Sequence, residues 1–239
     1  MTGPLILHIE TATDICSVAV SSGERLLSLV ESGQERSHAT LLNSFIKQSV
    51  AEAGKAFKDL DAISVSKGPG SYTGLRIGVS TAKGLAYALE IPLLASGTLE
   101  NMAGDILLNT EAAGLKALHG DHLLLCPMLD ARRMEVYTGF YTTETMVYRE
   151  VSADIIDENS YSKILESYHV CFFGNGSEKC KGVLNHPNAH FIDGVNPTSR
   201  SLIAPILKKY NRKQFEDLAY FEPFYLKDFI ATVPKKKVL

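Results

Sequence analysis

The segment Gly68-Pro69-Gly70-Ser71-Tyr72-Thr73-Gly74 constrains the fold more than any other part of this chain. An apolar, strand-like run over residues 60–66 precedes it, and a helical pattern over residues 73–89 follows it. Glycines on both sides of a proline allow the backbone to turn sharply between the two elements. The N–H groups that begin the helix then point out of the loop, a geometry that can bind an anion or can simply orient the helix. The glycine spacing and the missing Gly-Lys-Ser/Thr ending exclude a Walker A motif.

The remaining pattern predicts two α/β units. The first contains strands over residues 5–10, 17–20, 25–30 and 60–66, helices over 37–53 and 73–89, and a further strand from 91. The second contains helices over 99–108, 111–118 and 160–167, strands over 121–130, 135–141, 145–151 and 170–173, and a late amphipathic helix over 199–211. We therefore predict an N-terminal lobe over residues 1–100, completed by the C-terminal segment 200–239, and a C-terminal lobe over 101–199.

Composition limits the kinds of partner. The chain has 239 residues, a net charge of -3 and 21% charged residues, an ordinary balance for a globular protein. Contacts to phosphates require clustered Lys and Arg, so we do not expect this chain to bind nucleic acid alone. If nucleic acid is involved, a partner supplies most of the positive surface. The Lys235–Lys237 run is expected to be a solvated tail, with contact to RNA or a partner as the alternative.

The cysteines and the N-terminal segment indicate a cellular compartment. The four cysteines form no C-x-x-C pair, and Cys16, Cys126 and Cys171 lie in apolar runs, which predicts buried, reduced thiols rather than zinc binding or thiol catalysis. The N-terminal residues carry no basic region before the first strand, so we expect no signal peptide. No apolar run approaches the ~18 residues of a membrane span. The expected location is the cytoplasm, with no membrane contact.

Two turns are candidate phosphate loops. Glu10, Thr11 and Thr13 surround the turn after the first strand, where an acidic residue can orient a metal or water and small residues allow backbone N–H groups to reach a phosphate. The turn has no glycine, and a hairpin turn with local side-chain hydrogen bonds explains it equally. Gly174 and Gly176 end a later strand and form the second candidate.

Small residues form a stripe along the helix that follows the Gly-Pro-Gly loop. Gly74, Gly78, Ala82 and Ala86 recur every four residues, which allows another helix to approach closely. Packing against the 37–53 helix within the lobe explains this stripe, and so does a helix bundle with a partner. The 37–53 helix is apolar around much of its surface, so one face is available for a second chain.

Several segments together resemble the TsaB family, also called YeaZ. They are Ile9-Glu10-Thr11-Ala12-Thr13, Arg36-Ser37-His38, residues 68–78 with Gly-Pro-Gly-Ser-Tyr-Thr-Gly-Leu-Arg, residues 130–137 and Pro223-Phe224-Tyr225-Leu226-Lys227. The resemblance covers nearly the whole chain. It implies a two-lobed, actin-like ATPase (ASKHA, ribonuclease H-like) fold with two β-β-β-α-β-α lobes.

The resemblance also implies a function. TsaB-type proteins act in the synthesis of N6-threonylcarbamoyladenosine next to the anticodon of tRNA, beside a TsaD-type transferase and a TsaE-type ATPase. The implied role is a non-catalytic scaffold that dimerises with the transferase through its N-terminal lobe and meets tRNA only through the complex. The expected partner interface comprises His38, Leu41, Leu42, Phe45, Gly74, Gly78 and Ala82. Self-association of the isolated chain through the same helices is a further expectation.

The ligands of a catalytic metal are missing. Transferases of the TsaD type hold a metal through His-x-x-x-His on a helix and an Asp in the second lobe, and two imidazoles one helical turn apart converge on one ion. Those positions fall here on Thr98, Met102 and Ser199. Hydroxyl and thioether groups do not replace imidazole and carboxylate. We therefore expect no metal and no cofactor, with ATP or ADP bound at most without turnover.

Two rival functions follow from the same fold. The first is an active ATP-dependent carbamoyl- or phosphoryl-transferase that uses Glu10, Thr11 and the loop at residues 174–176. The second and more remote rival is a glycoprotease. The sequence argues against it, because the chain has neither a Gly-x-Ser-x-Gly elbow nor a Cys/His pair. Metal-dependent ATP turnover by the isolated chain separates the first rival from a scaffold.

Overall fold

The computed structural model describes residues 3–32 and 38–227, which fold into two lobes, each built on a five-stranded sheet. The strands of the first sheet are β1 (Leu5–Glu10), β2 (Cys16–Ser22), β3 (Arg25–Ser32), β4 (Ala62–Ser66) and β5 (Leu93–Ser96), in the order β3-β2-β1-β4-β5. Strands β1 to β3 pair antiparallel, and β4 and β5 continue the sheet in parallel with β1. The predicted three-stranded meander is confirmed.

Two helices cover one face of the first sheet, namely α1 (His38–Glu52) and α2 (Tyr72–Leu89). Strand β1 is central, and all six of its residues are buried. Because side chains alternate along a strand, Leu7 and Ile9 face the two helices, where they join Leu42 and Val79 in one apolar cluster. Ile6 points to the opposite face. The first lobe thus needs a cover on each side of its sheet.

The second lobe repeats this layered design. Its elements are α3 (Thr98–Asp105), α4 (Thr110–His119), β6 (Leu123–Asp130), β7 (Glu135–Thr142), β8 (Val147–Ile155), α5 (Ser162–Ser167), β9 (His169–Phe173) and β10 (Ala189–Ile192). The strand order is β10-β9-β6-β7-β8. Helices α3 and α4 cover one face through residues such as Met102 and Ala112, and α5 covers the other through Leu165.

The chain then returns to the first lobe. A 3-10 turn over Ser199–Leu202 leads into α6 (Ile203–Asn211), and Leu202 and Ile206 pack on Ile6 and Leu94 at the second face of the first sheet. Beyond α6, the backbone N–H of Glu216 donates to the Leu93 carbonyl at 2.8 Å. Helix α6 and Glu216 therefore contact the sheet of the first lobe.

The predicted α/β class and the two lobes are confirmed, while some local elements differ from prediction. Strand β10 was not predicted, since it has only four residues in a segment rich in His, Pro and Asn. The helix predicted over 199–211 divides into a 3-10 turn and α6. Between β9 and β10 the only helical structure is a 3-10 turn over Glu178–Cys180, so the second lobe lacks a full helix at that crossover.

All four cysteines are buried and free, and for Cys16, Cys126 and Cys171 the surrounding apolar runs predicted this burial. Burial raises the pKa of Cys16 to about 11 and that of Cys171 to about 12, so neither thiol forms a thiolate at neutral pH. Among the helices of the described residues, none combines the length and the apolarity that crossing a lipid bilayer requires. The Lys235–Lys237 run and residues Arg36 and Ser37 lie outside the described part of the chain.

Candidate functional site

A cleft of about 560 Å³ separates the two lobes. The first lobe contributes the turn after β1 and the Gly-Pro-Gly loop before α2, and the second lobe contributes the end of β6 with Asn175. The cleft is thus where both candidate phosphate loops approach each other. Its side-chain groups include Thr13, Asp14, Ser71 and Arg132, a set that can bind polar ligands but contains no histidine or cysteine.

Glu10 does not line this cleft. It is fully buried at the end of β1, where its Oε1 accepts a hydrogen bond from the backbone N–H of Ala12 at 2.7 Å. Its Oε2 has no hydrogen-bond partner among the described residues. Burial raises the pKa of Glu10 to about 7, although hydrogen bonds, led by that from Ala12, partly oppose the shift. The carboxyl group is therefore aimed into the lobe rather than at a ligand between the lobes.

The hydroxyl groups of the same turn have structural partners. The Oγ1 of Thr11 donates to the carbonyl oxygen of Gly74 at 2.9 Å and thereby ties the turn to the start of α2. The Oγ1 of Thr13 accepts from the backbone N–H of Ile15 at 3.4 Å, which is a local turn contact. Thr13 lines the cleft, whereas Glu10 and Thr11 are fully buried inside the first lobe.

The small-residue stripe of α2 is explained by packing inside the lobe. A Cβ at Gly74 would lie well under 3.0 Å from the carbonyl oxygen of Thr11, and a Cβ at Gly78 would meet the Thr11 Oγ1 equally closely. Ala82 is fully buried in the apolar cluster of the first sheet. Because these three residues face inward, a partner helix cannot reach them in the folded chain. A Gly78→Leu change would therefore disturb the lobe and is unsuitable as a test of a partner surface.

Two interface candidates on α1 are also buried. His38 is 8% exposed, with its Nε2 3.2 Å from the Ile15 carbonyl oxygen, and Leu42 is 1% exposed. Leu41 and Phe45 are only half-buried, and Phe45 also packs against the apolar cluster of the first sheet. Five of the seven predicted interface residues are thus buried, and the other two, Leu41 and Phe45, are half-buried. On α2, the residues that face outward were not among the predicted interface residues. Tyr87 is 79% exposed, and a Cβ at Gly84 would meet no atom within 4 Å.

The second candidate loop is a tight turn against β6. Gly174 has a φ of +103°, and a Cβ there would collide with the Met128 carbonyl; a Cβ at Gly176 would collide with Leu129. The Asn175 Oδ1 accepts from the backbone N–H of Asp130 at 3.0 Å, which fixes the loop at the cleft. The glycines are needed for this close approach of backbones, and phosphate binding by the loop stays a prediction.

The three positions at which the resemblance implies metal ligands in TsaD-type transferases are occupied here by groups with local roles. The Thr98 Oγ1 lies 2.7 Å from the Ser66 Oγ, and both side chains are buried. The Ser199 Oγ lies 2.8 Å from the Ser17 Oγ, which also accepts from the Ser199 backbone N–H at 3.0 Å. Met102 is 2% exposed and packs in the core of the second lobe. Each position is therefore part of the packing, and none presents a ligand of the kind that a divalent metal prefers.

The C-terminal segment closes one side of the cleft, a role that sequence reasoning missed. The backbone N–H of Phe224 donates to the Lys67 carbonyl at 2.7 Å, and the rings of Tyr225 and Tyr72 are 4.9 Å apart. Lys227 then forms an ion pair with Glu135 of the second lobe. Phe224 and Tyr225 after Pro223 were the available signal, but their partners Lys67 and Tyr72 are more than 150 residues away in the chain.

Comparison with known proteins identifies the family. A sequence model of the family described as "TsaD: tRNA N6-adenosine threonylcarbamoyltransferase" matches residues 27–234, which is most of the chain. The chain belongs to this family. Membership of this family does not by itself indicate transferase activity. The reason is that Thr98, Met102 and Ser199 stand where the resemblance implies metal ligands in transferases of the TsaD type.

Several curated relatives of the chain are TsaB proteins. The tRNA threonylcarbamoyladenosine biosynthesis protein TsaB of Bacillus subtilis is 32% identical over 151 residues, covering 62% of this chain and 60% of that protein. TsaB of Buchnera aphidicola is 39% identical over 99 residues, covering 41% and 44%. The chain thus spans about half the length of the curated relatives it matches. The resemblance to TsaB stated from the motifs is confirmed.

A solved structure supports the fold. YeaZ from Pseudomonas aeruginosa superposes with a TM-score of 0.77 over 93% of this chain and 100% of that chain, at 24% sequence identity. At that identity the match shows the architecture alone. It agrees with the two-lobed, actin-like ATPase fold predicted for this TsaB family member.

Proposed function

We propose that this chain acts in the synthesis of N6-threonylcarbamoyladenosine in tRNA as a non-catalytic subunit that dimerises with a TsaD-type transferase. The observation that carries the proposal is the state of the three ligand positions. Thr98 and Ser199 are hydrogen-bonded to neighbouring serines, and Met102 is packed in the second core. Restoring one ligand would not rebuild a metal site, because all three positions have been absorbed into the structure.

The outer surface of α1 and α2 supports the choice of interface. Both helices lie on the same face of the first sheet, so their outer sides are presented together. This surface includes the half-buried Leu41 and Phe45, the exposed Tyr87 and the unobstructed Gly84. An exposed aromatic side chain near a glycine offers an anchor and a place for close helix approach. We call these four residues the outer helix face.

The rest of the proposed complex follows from this role. The TsaE-type ATPase binds the dimer rather than this chain alone, and tRNA is reached through the transferase. ATP or ADP binds this chain at most without turnover, since Glu10 is fully buried and does not line the cleft. The isolated chain forms a homodimer through the outer helix face until the transferase replaces the second copy. The complex acts in the cytoplasm.

Replacing Tyr87 or Phe45 with Asp should weaken binding of the transferase by about 30-fold or more, since loss of an aromatic anchor costs about 2 kcal/mol or more. Tyr87→Asp is the cleaner variant because its side chain is 79% exposed and contributes little to the fold. Binding is measured by titrating the purified transferase into each variant and following the heterodimer by sedimentation.

Lys47→Asp is the matched control, because Lys47 is exposed on the opposite flank of α1 from Phe45. It should bind like the wild type. If Tyr87→Asp and Phe45→Asp both bind the transferase as tightly as Lys47→Asp, the interface lies elsewhere on the molecule. Urea unfolding of each variant distinguishes a lost interface from a lost fold.

The isolated chain should hydrolyse no ATP in the presence of Mg²⁺. Depleting it from cells should lower the threonylcarbamoyladenosine content of tRNA, as measured by nucleoside analysis. Metal-dependent turnover that is lost in Glu10→Gln would instead establish an active transferase of the same fold. Unchanged nucleoside content after depletion would refute the proposed pathway.

A further inference from the structure

Three histidines from distant parts of the chain meet at one end of the second lobe. His119 ends α4, His169 begins β9, and His190 lies in β10. Strands β9 and β10 are parallel, with His190 opposite Cys171, so His169 and His190 lie two residues apart on the same face of the sheet. That face is the one which α4 covers, and the end of α4 brings the third imidazole to the pair.

The three side chains are close enough to share one ion. One ring nitrogen from each residue lies within 4.8 Å of the other two, and the Nδ1 of His169 is 3.0 Å from the Nε2 of His190. Two nitrogens bound to one tetrahedral Zn²⁺ at about 2.0–2.1 Å are separated by about 3.3 Å. The observed spacing therefore needs only small side-chain movements. The His119 ring stacks on His169 with centroids 3.5 Å apart, so it must tilt to direct its lone pair at the same ion.

The protonation of the cluster suits ligation. Partial burial, followed by the charges of His119 and His122, lowers the pKa of His169. Burial and the charges of His169 and His119 lower the pKa of His190 in the same way. Neutral imidazole is the form that binds metals, and the lowered pKa values of these two side chains favour it.

We propose that His119, His169 and His190 bind one divalent transition-metal cation of borderline softness, with Zn²⁺ as the best match. Imidazole donors suit Zn²⁺, Ni²⁺ and Cu²⁺, whereas Mg²⁺ and Ca²⁺ require oxygen ligands. Among the described residues, the grouped ligands are these three histidines with no carboxylate among them. Because all three side chains are only partly buried, solvent fills the remaining position of a tetrahedral ion.

The site is separate from the cleft and from the outer helix face. None of its residues lines the cleft between the lobes, and all three belong to the second lobe. A bound ion would fasten β10, a four-residue edge strand, to the end of α4. The inference therefore does not depend on the proposed function, and it assigns the second lobe a metal-dependent stabilisation.

Zn²⁺ should bind the full chain, prepared without a polyhistidine tag and freed of metal, at one ion per chain. Calorimetric titration gives the stoichiometry and affinity, and thermal unfolding should shift upward with Zn²⁺. His169→Gln and His190→Gln each remove a ligand and should each weaken Zn²⁺ binding by at least about tenfold. This is a lower bound, because losing a group that merely orients a ligand already weakens metal binding by about 10- to 100-fold. MgCl₂ at the same concentration should leave the unfolding temperature unchanged.

His186→Ala is the matched control, since His186 lies near β10 but outside the cluster. Its Zn²⁺ affinity should equal that of the wild type. Wild-type affinity in both Gln variants, or an equal loss in His186→Ala, would overturn the proposal and indicate unspecific surface binding. Absence of Zn²⁺ binding by the folded wild type would do the same. Co²⁺ gives an independent readout, because intense visible absorption reports a four-coordinate site and should disappear in His190→Gln.

Discussion

Gly74→Ala is expected to destabilise the chain by about 1–3 kcal/mol, because the added methyl group would overpack a buried contact. The Cβ would lie within 3.0 Å of the Thr11 carbonyl oxygen, and backbone atoms cannot rotate away as a flexible side chain can. The turn after β1 or the start of α2 must shift, at the expense of the hydrogen bond from Thr11 Oγ1 to the Gly74 carbonyl. Urea unfolding at a fixed pH measures the change in the free energy of unfolding.

The matched control lies ten residues later on the same helix. A Cβ at Gly84 meets no atom within 4 Å, so Gly84→Ala should stabilise the chain by up to about 1 kcal/mol through helix propensity alone. Opposite signs for the two substitutions are the expected pattern. Equal unfolding free energies for the two variants would show that α2 does not press against the turn after β1.

The wild type is expected to lose about 3 kcal/mol of stability as pH rises, and Glu10→Gln is expected not to show this loss. The reason is that burial raises the pKa of Glu10 from 4.5 to about 7, and each pKa unit corresponds to about 1.4 kcal/mol. Between these two values, the unfolded chain has released the proton and the folded chain still holds it. The folded state binds more protons there, so the stability contributed by this group falls with rising pH and is fully lost above pH 7.

The measurement compares the free energy of unfolding of both proteins at pH 4.5 and pH 8. Other groups titrate equally in the two proteins, so the difference between the two pH profiles isolates Glu10. Any cost of burying the new amide near Oε2, which has no partner among the described residues, is independent of pH and shifts the whole profile. Parallel profiles for wild type and Glu10→Gln would contradict the raised pKa.

The sequence predicted those features that depend on local pattern. The Gly-Pro-Gly loop follows a strand and begins a helix, as the apolar run over residues 60–66 and the helical pattern over residues 73–89 predicted. The sequence alone also shows that positions 98, 102 and 199 carry neither imidazole nor carboxylate groups. Even there, the hydrogen bond between Ser199 and Ser17 joins residues 182 positions apart and became visible only in the fold.

The direction of the small-residue stripe was beyond sequence reasoning. A glycine or alanine every four residues allows close approach of any neighbour, and the pattern is the same whether that neighbour is a partner helix or the chain's own backbone. The position of Thr11 decides between them, and Thr11 is 63 residues from Gly74. The histidine cluster was hidden for the same reason, since His119 and His190 are neighbours only because β10 joins the sheet beneath α4.

The return of the chain to its first lobe has a consequence for synthesis on the ribosome. One face of the first sheet, with Ile6 and Leu94, is covered by Leu202 and Ile206. The strands of the second sheet all lie between residues 123 and 192, so that lobe is complete before these covering residues emerge. The lobe translated first is thus the lobe completed last, and its apolar sheet face stays bare for most of translation, when nascent chains are most prone to aggregate.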